Sequence, residues 1–145
     1  MSTLAAVTEV LGGKKTLGAR PKTFLDWQAL ILAGMPVQSA EALKDGIAVA
    51  DKSFAELIGI SAKTLSRARA GKARLDPVAS DRLFRLARIV ALAAEVLEGE
   101  EPAVRWLKRP QPGLGGRTPL SLLVTDAGRD EVEKLLLRLE HGVYT

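Results

Sequence analysis

The chain has 145 residues, enough for one ordinary domain or two small helical ones sharing a core, and too few for a large multidomain enzyme. Hydrophobic residues make up 47% but aromatic ones only 4%, so the core is built from Leu, Ala, Ile and Val, which favours helices over sheets. With no cysteine, disulfides, thiolate metal sites and sulfur redox chemistry are excluded, and the composition fits a reducing cytosol.

The net charge of +4 is unevenly spread. Residues 1–98 hold 14 Lys and Arg against 10 Asp and Glu, whereas from Gly99 onward the count is 7 against 7. The excess is densest from Ser61 to Arg88, where Lys63, Arg67, Arg69, Lys72, Arg74, Arg82, Arg85 and Arg88 face only Asp76 and Asp81. A basic segment of this kind is the footprint of a polyanion partner, nucleic acid first, although a solvated helix face carries the same charge pattern.

In chain order, Met1 to Gly13 is apolar but lacks a basic leader and is interrupted by Glu9, so it reads as neither a signal peptide nor a membrane span. A soluble cytoplasmic protein is expected. A Gly-Gly-Lys-Lys stretch follows, and residues 1–22 are expected to be a flexible segment holding at best one short helix. From Thr23 to Ala33, Phe24, Trp27, Leu30 and Ile31 recur at helical spacing and read as a core stripe, ending at Gly34 and Pro36. Ser39 is the expected cap of a second short helix that ends at Gly46.

The next stretch carries the most information in the N-terminal part. Asp51 is placed to cap a helix bearing Phe54, Ala55, Leu57 and Ile58; Gly59 breaks it, and Ser61 caps a second helix, Ala62 to Ala70, that ends at Gly71. Two short helices joined by a tight glycine turn form a helix-turn-helix unit. Leu65 and Ala68 turn inward with Ile60, leaving Lys63, Ser66 and Arg67 outward with Thr64 beside them, the residue types that read base edges or phosphates from a recognition helix. Arg69, Lys72 and Arg74 are expected to lie near the DNA backbone. The candidate DNA-binding residues are therefore Ser61, Lys63, Thr64, Ser66, Arg67, Arg69, Lys72 and Arg74. Many helical hairpins with a glycine turn bind nothing, so the local basic excess is what tilts the balance toward DNA.

Asp76-Pro77 opens a long helix to about Leu97, its apolar face suited either to the centre of a small domain or to a dimer contact. Beyond Gly99, Pro102 starts a short helix through Trp106 and Leu107, and Arg109 to Arg117 forms a structured loop. Thr118-Pro119 caps another short helix, Leu120 to Leu123. A last helix, capped by Thr125 or Asp126, runs to His141 and stops at Gly142, leaving Val143-Tyr144-Thr145 as a free tail.

Trp106-Leu-Lys-Arg-Pro110, Leu114-Gly-Gly-Arg-Thr-Pro-Leu120 and the terminal Leu139-Glu-His-Gly-Val-Tyr144 resemble the toxin-binding domain of the Xre/MbcA/ParS antitoxins. Upstream, Phe54-Ala-Glu-Leu-Ile-Gly-Ile-Ser61, Thr64-Leu-Ser-Arg67 and Ser80-Asp-Arg-Leu-Phe-Arg-Leu-Ala87 are similar to the Xre-like region that precedes it. The resemblance spans about Gly34 to Thr145. It implies an all-α protein with an Xre-like helix-turn-helix DNA-binding and dimerisation region at 23–98 and a toxin-binding domain at 99–145. It also implies a partner toxin of the RES-domain kind that consumes NAD, and binding of the chain to its own promoter.

In that context Arg117 and Thr118 are expected to organise the glycine loop, Thr118 as a helix cap and Arg117 by pairing with a carboxylate or carbonyls. Gly113-Leu-Gly-Gly116 fits no phosphate-binding spacing and reads as a structural turn. Trp106 reads as a core anchor. His141, the only histidine, lacks a nucleophile or fellow ligands nearby in sequence and takes a structural or interface role. An aromatic in a short tail has little reason to be there unless something buries it, so Tyr144 is expected to enter a partner. The toxin-facing set is Arg117, Arg138, His141, Gly142, Val143, Tyr144 and Thr145. No catalytic residue, metal, cofactor, small-molecule substrate or membrane is expected, and the partners are the toxin, operator DNA and a second copy in a homodimer. A stand-alone repressor accounts for Ser61 to Arg88 but leaves the C-terminal pattern without a purpose.

Overall fold

The computed structural model describes residues 3–142 as a helical protein in two compact units, residues up to Arg88 and residues from Ile89 onward. Among the described residues there is no strand, only an isolated antiparallel bridge between Pro36 and Arg74. No described helix is long and apolar enough to cross a membrane.

The first unit begins with α1 (Thr3–Val10) and α2 (Gly13–Leu17). These lie within the segment expected to be flexible, and the structure differs from that expectation. Val7, Leu11 and Leu17 are fully buried, and both helices pack on α4 (Val37–Ile47). The Gly-Gly pair is a tight turn with positive φ at both residues, not a loose linker.

The next helix, α3 (Phe24–Ala33), starts on a capping box: Thr23 Oγ1 accepts from the Asp26 N–H at 3.1 Å, and the Asp26 carboxylate accepts from the Thr23 N–H at 3.2 Å. Trp27 is fully buried, its ring centroid 4.9 Å from that of Phe84. The rest of the expected core stripe is not core. Phe24 is 56% exposed, Leu30 and Ile31 are half-buried, and Phe24, Leu32 and Val78 border a groove of about 430 Å³ over Trp27.

Helix α4 starts at Val37, earlier than expected, so Ser39 is a fully buried interior residue whose Oγ donates to the Pro36 carbonyl at 2.6 Å. Helices α5 (Asp51–Ile58) and α6 (Ala62–Gly71) form the hairpin anticipated from the sequence. The chain leaving α6 is tied back to the segment before α4 by the Leu75 N–H donating to the Met35 carbonyl (2.8 Å) and the Val37 N–H to the Ala73 carbonyl (3.0 Å). Buried Ser80 completes the joint, accepting from the Met35 N–H at 2.8 Å and donating to the Leu75 carbonyl at 3.2 Å. Gly34 is required here. Its φ is +95°, and a Cβ would collide with the Leu75 carbonyl.

Helix α7 (Pro77–Val96) is capped by the Asp76 carboxylate, which accepts from the Ala79 N–H at 2.8 Å. The division between units falls inside this helix at Arg88/Ile89, not at Gly99 where composition suggested it. Leu83, Leu86 and Ala87 are buried in the part belonging to the first unit, and Ile89, Val90, Ala91 and Ala93 in the part belonging to the second.

The second unit continues with α8 (Glu100–Leu107), a 3₁₀ turn (Pro112–Leu114), α9 (Pro119–Leu122) and α10 (Asp126–Glu140). Ala103, Leu107, Leu114, Leu123, Val132, Leu135 and Leu136 are buried there, and Trp106, expected as a core anchor, is half-buried. Thr125 caps α10 by accepting from the Gly128 N–H at 3.0 Å.

Candidate functional site

The helix-turn-helix surface is assembled by local rules. Gly59 ends α5 in the left-handed region, and the Ile60 N–H bonds the Ala55 carbonyl at 3.0 Å, which aims the chain into α6. Ser61 Oγ accepts from the Thr64 N–H at 3.0 Å and donates to Thr64 Oγ1 at 2.9 Å, so both hydroxyls are engaged in the cap. Leu65 is fully buried, and on the opposite side Lys63, Ser66 and Arg67 lie exposed at i, i+3 and i+4. Lys72 is also exposed, as the left-handed C-cap of α6.

One of the arginines expected at the DNA backbone, Arg69, is turned inward. Arg69 stands four residues after Leu65, on the same face of α6, and its guanidinium forks onto two carboxylates. Nε and Nη2 donate to Glu41 on α4; Nη1 and Nη2 donate to Asp51 on α5 at 3.1 and 2.8 Å. Lys44 adds a second cation 3.3 Å from Asp51. Hydrogen bonds to Glu41, then Asp51, push the Arg69 pKa up, and the Arg69 bond holds the Asp51 carboxyl below its ordinary 3.8. Asp51 therefore serves as an ion-pair partner at the first residue of α5 and makes no side-chain cap, Ala50 being the N-cap. Arg74 donates to the Gly34 carbonyl but stays exposed. The Leu65–Arg69 spacing was the available sign that Arg69 points inward.

On the second unit the loop before α9 closes on Gln111, a residue the sequence reading passed over. Its N–H donates to the Arg117 carbonyl (3.0 Å), its carbonyl accepts from the Leu114 and Gly116 N–H groups (both 3.0 Å), and its side-chain amide donates to the Trp106 carbonyl (3.1 Å). Arg117 contributes backbone only to this turn and leaves its guanidinium exposed, which differs from the expected pairing role. Thr118 does cap α9, accepting from the Ser121 N–H at 3.3 Å.

A second residue missed by the sequence reading is Arg129. It is 8% exposed, pairs with Asp126 and donates to the Leu123 carbonyl at 3.0 Å, joining α10 to the end of α9. At the far end of α10, Arg138 is half-buried with a buried Nε that has no hydrogen-bond partner, His141 is the exposed C-cap, and Gly142 is exposed with φ +74°. Val143, Tyr144 and Thr145 lie outside the described residues. Among the described residues no three His, Cys, Asp or Glu side chains gather as a metal-holding group.

A helix-turn-helix unit followed by a small helical unit defines a helix-turn-helix protein with a second helical domain. Residues 26–88 match the antitoxin Xre-like helix-turn-helix domain and residues 92–142 the antitoxin Xre/MbcA/ParS C-terminal toxin-binding domain. The two matched domains, in this order, are those of the Xre/MbcA/ParS antitoxins, and together they span most of the chain. It is 29% identical to Antitoxin Xre of Photorhabdus laumondii over 89% of this chain and 88% of that one. It is 40% identical to Antitoxin Xre of Yersinia enterocolitica over 60% of each. The Prs ADP-ribosylating antitoxin of a Sphingobium species is 27% identical over 92% of this chain and 96% of that one. In fold, the chain is similar to one in the crystal structure of the M. tuberculosis MbcT–MbcA toxin–antitoxin complex, with a TM-score of 0.55 at 20% identity, covering 75% of this chain and 96% of that one.

Proposed function

We propose that this chain is the cytoplasmic antitoxin of a RES-domain, NAD-consuming toxin, and that it neutralises the toxin by covering its active site with the C-terminal unit. The observation that carries this reading is the match of residues 92–142 to a toxin-binding domain. The exposed end of α10 supports it, with His141 and Gly142 exposed just before Tyr144 in the sequence. The NAD assignment rests on the sequence resemblance. A relative named for ADP-ribosylation adds to it, because that reaction draws its group from NAD. The role is one of binding, with no reaction of its own.

The same chain represses its own operon through the outward stripe of α6, Lys63, Ser66 and Arg67, with Thr64 and Lys72 beside it. It does so as a homodimer, the form in which two recognition helices meet paired half-sites, and the exposed apolar side chains of Phe24, Leu25, Leu32 and Val78 offer a surface for self-association.

Co-expression with the gene adjacent in its genome tests the toxin half of this reading. The neighbour alone is expected to deplete cellular NAD and arrest growth; with the tagged antitoxin, NAD recovers and a stoichiometric complex is purified. Recovery of no partner, with promoter DNA still shifted, would leave a simple repressor.

A further inference from the structure

The structure redistributes charge on the helix-turn-helix face. We propose that Arg82, on α7 outside the two-helix motif, contacts the DNA backbone, and that Arg69, inside the motif, does not; this rests on the DNA-binding reading above. Arg69 has four of its five N–H donors committed to Glu41 and Asp51. Swinging it to a phosphate would strip Glu41 of its partner and leave Asp51 with Lys44 alone, both beside a polyanion, so the swing is opposed. Arg74 is held by the Gly34 carbonyl.

Arg82 is in the opposite condition. Its side chain is exposed and has no carboxylate partner among the described residues, because the neighbouring acid on its own helix, Asp81, pairs with Arg85 at 3.1 Å. Its stem and guanidinium lie across Gly59, with Cζ and Cδ 2.9 and 3.1 Å from where a Cβ of that glycine would stand. That contact places the cation over the turn, two residues before the Ser61 cap. Arg82 thus stands at the end of α6 that carries Lys63 and Thr64, the end from which a recognition helix reaches base edges. Lys72 lies about 15 Å away along the axis, at 1.5 Å rise per residue. Gly59 is needed for its left-handed turn, and its missing side chain is what lets Arg82 lie across it here.

The test is the salt dependence of binding to the chain's own promoter DNA, measured by fluorescence anisotropy between about 50 and 300 mM salt, because each phosphate contact contributes a slope of about −0.9 in log K against log[salt]. R82A is expected to lose about tenfold in affinity and about one unit of slope with an unchanged melting temperature. R82Q, which keeps the stem over Gly59, should lose the same slope, and R82K should retain it. R69A is expected to keep the wild-type slope while its melting temperature falls. Should R82A and R82Q both keep the wild-type slope, or R69A lose a unit of slope with an unchanged melting temperature, the inference is overturned and the DNA reading stands. A wild-type chain that fails to bind at about 50 mM salt removes both.

Discussion

The centre of the helix-turn-helix unit is held by charge. Arg69 ties the start of α4, the start of α5 and the end of α6 through two forked pairs, so the angle of the recognition helix depends on carboxylates staying ionised. Asp51 has its pKa lowered by the Arg69 hydrogen bond, and Asp26 has its own lowered by the backbone N–H groups of Lys22 and Thr23. A carboxyl whose folded pKa lies below its unfolded value contributes stability above the unfolded value and loses it as pH falls through the folded one. Melting temperature should therefore be level from neutrality to about pH 4 and fall below it. In D51N the protein should be less stable at pH 7, and its remaining acid sensitivity should be smaller than wild type; an identical pH profile would argue against the pair. The face on which Arg69 sits was legible from its spacing to Leu65, but its partners, 28 and 18 residues away, were not.

Among the elements, the short helices are specified by their ends. The Thr23, Ser61, Thr118 and Thr125 side chains each accept a hydrogen bond in the first turn, and each start was readable because the cap lies within four residues of what it caps. The α9–α10 corner was less legible. There Gly128 lets α10 press against the backbone of α9: a Cβ at that position would collide with the Leu122 carbonyl. Buried Arg129 takes the adjacent Leu123 carbonyl. G128A is expected to destabilise the protein by about 1–3 kcal/mol in urea unfolding, despite alanine's higher helix propensity, because the clash is with backbone that cannot turn aside. Toxin binding should weaken in the same variant. A G128A protein as stable as wild type would mean that the corner opens at little cost.

For the whole molecule, the proposed division of labour gives one more expectation. Deleting Gly142 to Thr145 removes the tail and no buried side chain among the described residues, so melting temperature and promoter binding should be unchanged while neutralisation of the toxin is lost. Growth rescue by the truncated chain would rule the tail out as the inhibitory element. The sequence by itself determined the helical class, most helix ends, the helix-turn-helix hairpin and the family motifs, because caps, glycine turns and apolar spacing act over a few residues. Only the tertiary structure decided that Val7, Leu11 and Leu17 are core, that the units divide inside α7, that Gln111 closes the loop credited to Arg117, and that Arg69 meets Glu41 and Asp51. Apart from the Gln111 turn, which is local but follows no standard cap, those outcomes depend on groups far apart in the chain meeting by burial or charge, and such meetings leave no local trace in the order of residues.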